Sequence, residues 1–257
     1  MKTTHEWQQD KVRIVLIETS HPGNIGAAAR AMKVMGLVEL YLVAPKHFPD
    51  PQAIAMASGA DDVLQQAKVV SHLSEAITDC HIVIGTSARS QRYLQWPLRT
   101  ARECGEYIAE QDEDKKIAII FGRERTGLTN DELDYCQSLV HIPTNPDYHS
   151  LNVAAAVQLI SYEYRIHQKQ TPSSTPEYNE NRQELPVNQN SMEGFYQHLE
   201  KTLTEIRYLD PDNPRFLMRR LRRLFGRIDI VPSEMNILRG ILSAMQGRKF
   251  KTRDKKH

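Results

Sequence analysis

Six short runs of apolar, mostly β-branched residues, separated by stretches of helical pattern, constrain this chain more than any other feature. They are Val12 to Ile17 (VRIVLI), Leu40 to Val43, Val69-Val70, His81 to Gly85 (HIVIG), Ile117 to Gly122 (IAIIFG) and Leu139 to Ile142. Runs this short and this uniformly apolar suit strands buried on both faces of a sheet. Helices are predicted between and after them, at 24–35, 53–66, 74–79, 101–111, 129–137 and 150–167. The rhythm is that of an α/β domain with a mostly parallel sheet. Thr129 can cap a helix that Glu132 closes as a capping box, and Ser150 can cap the next helix in the same way.

The 257 residues are 40% hydrophobic and 25% charged, enough for a sizeable core. No apolar run reaches membrane-spanning length, and Met1 to Trp7 lacks the apolar region of a secretion signal, so neither a membrane span nor export is expected. Cys80, Cys104 and Cys136 are odd in number, far apart and without metal-site spacing. We read them as reduced thiols in a cytoplasmic protein that binds no metal.

The net charge of +1 argues against a uniformly basic nucleic-acid binder, but it conceals an asymmetry. Residues 191–257 hold 15 Lys and Arg against 8 Asp and Glu (+7), leaving 18 against 24 (−6) for residues 1–190. A basic tail on a mildly acidic body suggests a polyanion partner. Residues 168–190, rich in Pro, Ser, Asn and Gln, read as a linker between a domain at 1–167 and a basic helical domain at 191–257. In that second domain helices are expected at 192–208 and 236–245, and over Pro214 to Arg227. On a helical wheel the last places Phe216, Leu217, Leu221, Leu224 and Phe225 on one half, with Arg215, Arg219, Arg222 and Arg223 opposite. Such a ridge is often only a solvated face. Its arginines favour phosphate contact, because the guanidinium fork matches phosphate oxygens.

Four loops follow predicted strands at their carboxyl ends, where open α/β sheets bind ligands. The first, Glu18 to Arg30 (ETSHPGNIGAAAR), carries Gly23 and Gly26 for a tight strand-to-helix turn and Arg30 about two turns into the helix. It is neither GxGxxG nor a P-loop, and a glycine turn with a surface Arg would explain it equally well. The second, Thr86-Ser87-Ala88-Arg89-Ser90, brings hydroxyls and an Arg to the same sheet end. The third, Phe121 to Leu128 (FGRERTGL), sets three charges between two glycines; it suits a ligand loop or a salt-bridged surface turn. The fourth, Ile142 to Ala156 (IPTNPDYHSLNVAAA), offers Ser150 and Asn152 ahead of an Ala-rich helix.

Together, NxGxxxR at Asn24 to Arg30, FGxExxGL at Phe121 to Leu128, IP…SLNVAAA at Ile142 to Ala156 and TSARS at 86–90 closely resemble the SPOUT class of S-adenosylmethionine-dependent RNA methyltransferases. Within it they are similar to the TrmH-like ribose methylators, and among those to the TrmJ type. The resemblance is strong over about residues 11–167 and rests on fewer motifs in the basic tail. It implies a deep trefoil knot near the last strand and helix, an S-adenosyl-L-methionine site and a homodimer. It places the cofactor at Thr86, Ser87, Ala88, Gly122, Ile142, His149, Ser150 and Leu151. The catalytic group would be Asn24, Arg30, Glu124, Ser150 and Asn152. RNA contacts would fall to Arg30, Arg89, Arg92 and Arg123, together with Arg219, Arg222 and Arg223. Two positions depart from the pattern: His149 stands where a small hydroxyl residue is common, and Gln91-Arg92 replaces the closer second Arg of a TSARSR run.

The implied reaction is 2′-O-methylation of the ribose of cytidine or uridine at position 32 of the tRNA anticodon loop. The alternatives are the same chemistry on ribosomal RNA and a catalytically silent RNA-binding protein. A dinucleotide oxidoreductase is disfavoured by the missing GxGxxG. Arg30 is assigned to hold the phosphate beside the target ribose and to stabilise developing negative charge, since a guanidinium remains protonated and makes a poor base.

Overall fold

The computed structural model of the chain describes residues 9–88, 96–145, 147, 150–170, 184–212, 214 and 216–247. Seven strands form one sheet: β1 (Gln9–Ile17), β2 (Leu37–Val43), β3 (Lys68–Val70), β4 (Ile82–Thr86), β5 (Leu98–Thr100), β6 (Ile117–Phe121) and β7 (Ser138–His141). Their order is β3-β2-β1-β6-β4-β7-β5, and every pairing is parallel. Alternate residues of each strand serve opposite layers. Val12, Ile14 and Leu16 of β1, with Ile117, Ile119 and Phe121 of β6, face α1 (Pro22–Met35), α5 (Ala101–Ala109) and α7 (Val153–Gln170). Val15, Ile17, Ala118 and Ile120 face α4 (Leu73–Ile77) and α6 (Asn130–Leu133). The all-apolar runs are thus explained by helices on both faces.

The structure departs from expectation at several points, each with a local cause. Strand β5 was not foreseen: it is three residues long, pairs only with β7, and its Leu98 is exposed. The single helix expected at 53–66 is two, α2 (Pro51–Ala57) and α3 (Asp61–Gln66), because Ser58 and Gly59 take left-handed φ of 46° and 90°. Gly23 and Gly26 lie inside α1 rather than in a turn; the helix starts at Pro22, capped by His21, whose Nδ1 accepts from the Gly23 N–H. Gly26 is required elsewhere, since a Cβ there would fall 2.0 Å from the Ala53 carbonyl oxygen, so α1 and α2 touch backbone to backbone. Helix α7 is capped by Asn152, whose Oδ1 accepts from the Ala154 N–H at 2.9 Å, and not by Ser150.

The chain divides into two compact units, Met1–Arg182 and Gln183–His257. Helix α7 runs to Gln170, three residues beyond the expected edge of the first domain. In the second unit α8 (Gln189–Glu205), α9 (Leu217–Phe225) and α10 (Pro232–Met245) enclose a core that includes Phe195, Tyr196, Leu199, Met235 and Leu242. The wheel on α9 is only partly right. Leu217, Leu221 and Phe225 pack inward with Met218, whereas Leu224 is 56% and Phe216 45% exposed. Arg222 also leaves the expected ridge: its guanidinium makes two bonds to the Glu193 carboxylate of α8 (2.7 and 2.9 Å) and stacks 4.5 Å from the Tyr196 ring. No helix among the described residues is long and apolar enough to cross a membrane.

Candidate active site

The four motif-bearing loops leave the carboxyl ends of β1, β6, β4 and β7, which are consecutive neighbours in the sheet. Parallel pairing therefore delivers all four to one edge. Beneath them lies a cleft of about 240 Å³ with an apolar floor of Phe121, Val140 and Ile160. Thr86, Ser87 and Ala88 from the second loop, Gly122 from the third, and Ile142, Ser150 and Leu151 from the fourth all line it. These are the residues expected to hold the cofactor, with one exception. His149 lies outside the described residues, as do Arg89 and Arg92.

Backbone hydrogen bonds fix the cleft's walls. Ser87 donates its N–H to the Val140 carbonyl at 3.0 Å, and its own carbonyl oxygen meets Nδ1 of His141 at 3.0 Å. A carbonyl only accepts, so Nδ1 must carry the proton. At Gly122 a Cβ would sit 2.2 Å from the Gly127 carbonyl carbon, because the loop folds straight back: Gly127, at φ 70°, donates to the Arg123 carbonyl at 2.9 Å. An apolar floor with hydroxyl and backbone polar groups at its rim is the donor set that suits a nucleoside bearing an aliphatic chain.

Beside the cleft, side chains from three loops form one hydrogen-bonded chain. Glu124 accepts from Nδ2 of Asn24 (3.1 Å), from the backbone N–H of Ser20 (3.2 Å) and from Oγ of Ser20 (3.1 Å). Oδ1 of Asn24 in turn accepts from Nδ2 of Asn152 at 2.9 Å. Every amide orientation follows from the ends. A carboxylate only accepts, so Asn24 must turn its NH₂ to Glu124 and its oxygen to Asn152. Asn152 must offer its NH₂, because its oxygen is committed to the Ala154 N–H. Burial alone would raise the Glu124 carboxyl, but its own backbone N–H, Asn24 and Ser20 together hold it below its ordinary value. It is an anion that orients amides, and it is poorly suited to protonating or deprotonating a substrate near neutrality.

Of the expected catalytic residues, the structure thus joins Asn24, Glu124 and Asn152, and sets Ser150 at the adjacent cleft wall. Arg30 is not part of this chain. It is exposed on α1, makes no hydrogen bond or ion pair with any described residue, and does not line the cleft.

Arg123, expected to meet RNA, is committed within the protein. Two of its nitrogens bind the Glu132 carboxylate (3.1 and 3.0 Å), and Nη2 also pairs with Glu18. These partners raise the guanidinium's pKa, and Arg123 in turn draws the Glu18 carboxyl below its ordinary value. The salt-bridged turn was the right reading of this one residue. Ser20 was missed, although it stands in the first loop. Half of its role is a backbone N–H aimed at a residue 104 positions away, which no local pattern announces.

Comparison with known proteins gives a consistent result. Residues 11–162 match the SpoU rRNA Methylase family, and residues 190–256 match the C-terminal domain of the tRNA methyltransferase TrmJ. A Pectobacterium atrosepticum protein named tRNA (cytidine/uridine-2′-O-)-methyltransferase TrmJ is 51% identical over 238 residues, spanning 92% of this chain and 97% of its own. A Pseudomonas aeruginosa protein named tRNA (cytidine/uridine/adenosine-2′-O-)-methyltransferase TrmJ is 51% identical over 243 residues, spanning 92% and 94%. The crystal structure of TrmJ from Z. mobilis superimposes with a TM-score of 0.79 at 36% identity, covering 91% of this chain and 98% of that one.

Proposed function

Because the chain belongs to the SpoU rRNA Methylase family and continues into a TrmJ C-terminal domain, we propose that it methylates the ribose 2′-hydroxyl of cytidine or uridine at position 32 of the tRNA anticodon loop, with S-adenosyl-L-methionine as donor. The observation that carries this reading is the Glu124–Asn24–Asn152 chain beside a cleft walled by the expected cofactor residues. The names of the two relatives supply the tRNA and the 2′-O position. Position 32 rests on the TrmJ resemblance.

When bound, S-adenosylmethionine supplies a methyl group already activated on a sulfonium, so the protein need only orient the nucleophile and exclude water. Thr86, Ser87, Ala88, Gly122, Ile142, Ser150 and Leu151 hold the donor. Asn24 and Asn152 each keep one amide N–H beyond those spent on Glu124 and on each other. Those N–H groups, with the Ser150 hydroxyl, would orient the incoming 2′-oxygen; its new bond to the methyl carbon replaces that carbon's bond to sulfur, so that S-adenosylhomocysteine is left, and the hydroxyl proton passes to solvent at the mouth of the cleft. Arg30 holds the adjoining phosphate and offsets the negative charge that builds on that oxygen.

The enzyme acts in the cytoplasm as a homodimer, the C-terminal unit of each copy offering Arg219 and Arg223 to tRNA. The order of the sheet suits the trefoil knot: β7, made last, lies between β4 and β5, which the chain joins much earlier. The test is nucleoside mass spectrometry of tRNA from cells lacking the gene, complemented with wild type or Arg30→Ala. Loss of 2′-O-methylation at position 32 that only wild type restores is the expected result. Loss of 2′-O-methyladenosine as well would extend the base range to that in the Pseudomonas relative's name. Unchanged tRNA would refute the reading and turn the search to ribosomal RNA.

A further inference from the structure

Among the described residues, three charged side chains line the cleft, all from the third loop: Arg123, Glu124 and Arg125. The two on the amino-terminal side are fully committed, Arg123 to Glu18 and Glu132 and Glu124 to Ser20 and Asn24. Arg125 is different. It is exposed, and it makes no hydrogen bond or ion pair with any described residue. It also stands at the apex of a closed loop, since the Gly127 N–H to Arg123 carbonyl bond shuts the turn below it and Gly122 lies against the returning backbone.

The loop is thus braced by Glu18 and Ser20 of the first loop and by Glu132 of α6, and the guanidinium it presents outward is unspent among the described residues. Pinning the neighbours of a flexible side chain reduces the freedom it must lose on binding, which is how a contact is pre-organised. From this geometry we propose that Arg125, and not Arg123, is the third loop's contact to RNA: it binds a backbone phosphate beside the target nucleotide at the mouth of the cofactor cleft. The inference rests on the function proposed above.

Two anionic groups come near such a site, an RNA phosphate and the carboxylate of the cofactor. Exposure does not separate them, since Ala88, Ser150 and Leu151 of the cleft wall are exposed as well. Place favours the phosphate: Arg125 stands at the apex of the closed turn, at the mouth of the cleft and away from its apolar floor, where a macromolecule arrives. The Glu18–Arg123–Glu132 bridge then acts as a positioning device for Arg125.

The experiment uses the full-length enzyme with S-adenosylmethionine and tRNA transcripts, comparing wild type, Arg125→Gln and Arg125→Lys. One charge-assisted contact corresponds to roughly a 10- to 100-fold fall in kcat/KM for tRNA in Arg125→Gln, part of which Lys restores. Cofactor affinity by calorimetry stays within twofold, and the salt slope of tRNA binding falls by about 0.7–0.9. If Arg125→Gln instead weakened cofactor binding tenfold with the tRNA salt slope unchanged, the carboxylate would be its partner and the proposal would be overturned. Wild-type kinetics in Arg125→Gln would overturn it too. A wild-type enzyme that binds S-adenosylmethionine yet methylates no tRNA would overturn the underlying function, an outcome distinct from an active enzyme indifferent to Arg125.

Discussion

Replacing Glu124 by Gln changes one atom's hydrogen-bonding role and should disable a chain of three residues. The wild-type carboxylate receives the Ser20 N–H (3.2 Å) and the Asn24 amide (3.1 Å) on Oε1 and the Ser20 hydroxyl (3.1 Å) on Oε2, with a longer contact from the His21 N–H at 3.5 Å. Gln offers one accepting oxygen and a donor NH₂. If that NH₂ replaces Oε2, it faces the Ser20 hydroxyl, which must turn round and accept, while the bonds left on the oxygen lose their charged acceptor. If it faces Asn24, that amide must turn over and set its own NH₂ against Asn152, which cannot yield because its oxygen holds the Ala154 N–H. Each bond to a charged acceptor is worth about 1–2 kcal/mol at a half-buried site, and either arrangement of Gln gives up the charge that strengthens them all. We expect kcat/KM for tRNA to fall by about 2–3 kcal/mol of transition-state stabilisation, roughly 30- to 150-fold, with cofactor affinity little changed. Steady-state kinetics and calorimetry on the purified variant provide the assay. A loss below threefold would refute the orienting role. So would a wild-type pH–rate limb between about 6 and 8 that Gln removes, since a carboxyl held below its ordinary value has no titration there.

Three further outcomes follow from the packing. Arg222→Glu sets a second carboxylate against Glu193 and removes the stack on Tyr196, and should lower the stability of the C-terminal unit by about 2–3 kcal/mol in thermal unfolding, an unchanged Tm refuting that role; reversing Arg219 and Arg223 together should weaken tRNA binding and flatten its salt dependence by about 0.7–0.9 per lost contact, and an unchanged salt slope would refute their contact with tRNA. The Arg13 guanidinium, buried on β1, binds Asp79 and holds its carboxyl far below the ordinary value, so that stabilisation is complete above about pH 4 and is lost as pH falls toward the folded-state value; urea midpoints should drop between about pH 4 and 2, and Asp79→Asn should remove most of that slope. Burial pushes the thiols of Cys80 and Cys104 up to about 12, and Cys136 is buried as well, so a thiol reagent at pH 8 should label none of them until the chain is unfolded; rapid labelling of any one in the native protein contradicts the core assignment.

The strands buried on both faces were legible because uniform apolarity is itself the signal, and six runs led to six of the seven strands, although the Val69-Val70 run became the edge strand β3, with Val69 53% exposed, and is not buried as expected. Strand β5 escaped because an edge strand of three residues with an exposed Leu98 has no such run. The break between α2 and α3 was masked by apolar residues that continue across it, although Ser58-Gly59 is an ordinary stop signal. Within the site, residue type and motif order singled out residues that line one cleft and the Asn24, Glu124 and Asn152 group. They could not tell which arginines are already spoken for. Arg123 and Arg222 resemble their neighbours in sequence, and what engages each within the protein is a carboxylate on another element: Glu18 and Glu132 for the first, Glu193 for the second. A helical wheel gives a direction around an axis, and says nothing of what stands there.

The bond between Asn24 and Asn152 joins residues 128 positions apart, and the second of them follows the last strand to enter the sheet. A nascent chain that has emerged only as far as β6 can already form most of the sheet and still has no site, because one end of the amide chain and one wall of the cleft have yet to be synthesised. Activity therefore arrives as a single late event in the making of the protein. A translation product cut short before α7 would be catalytically silent even if it were otherwise well formed.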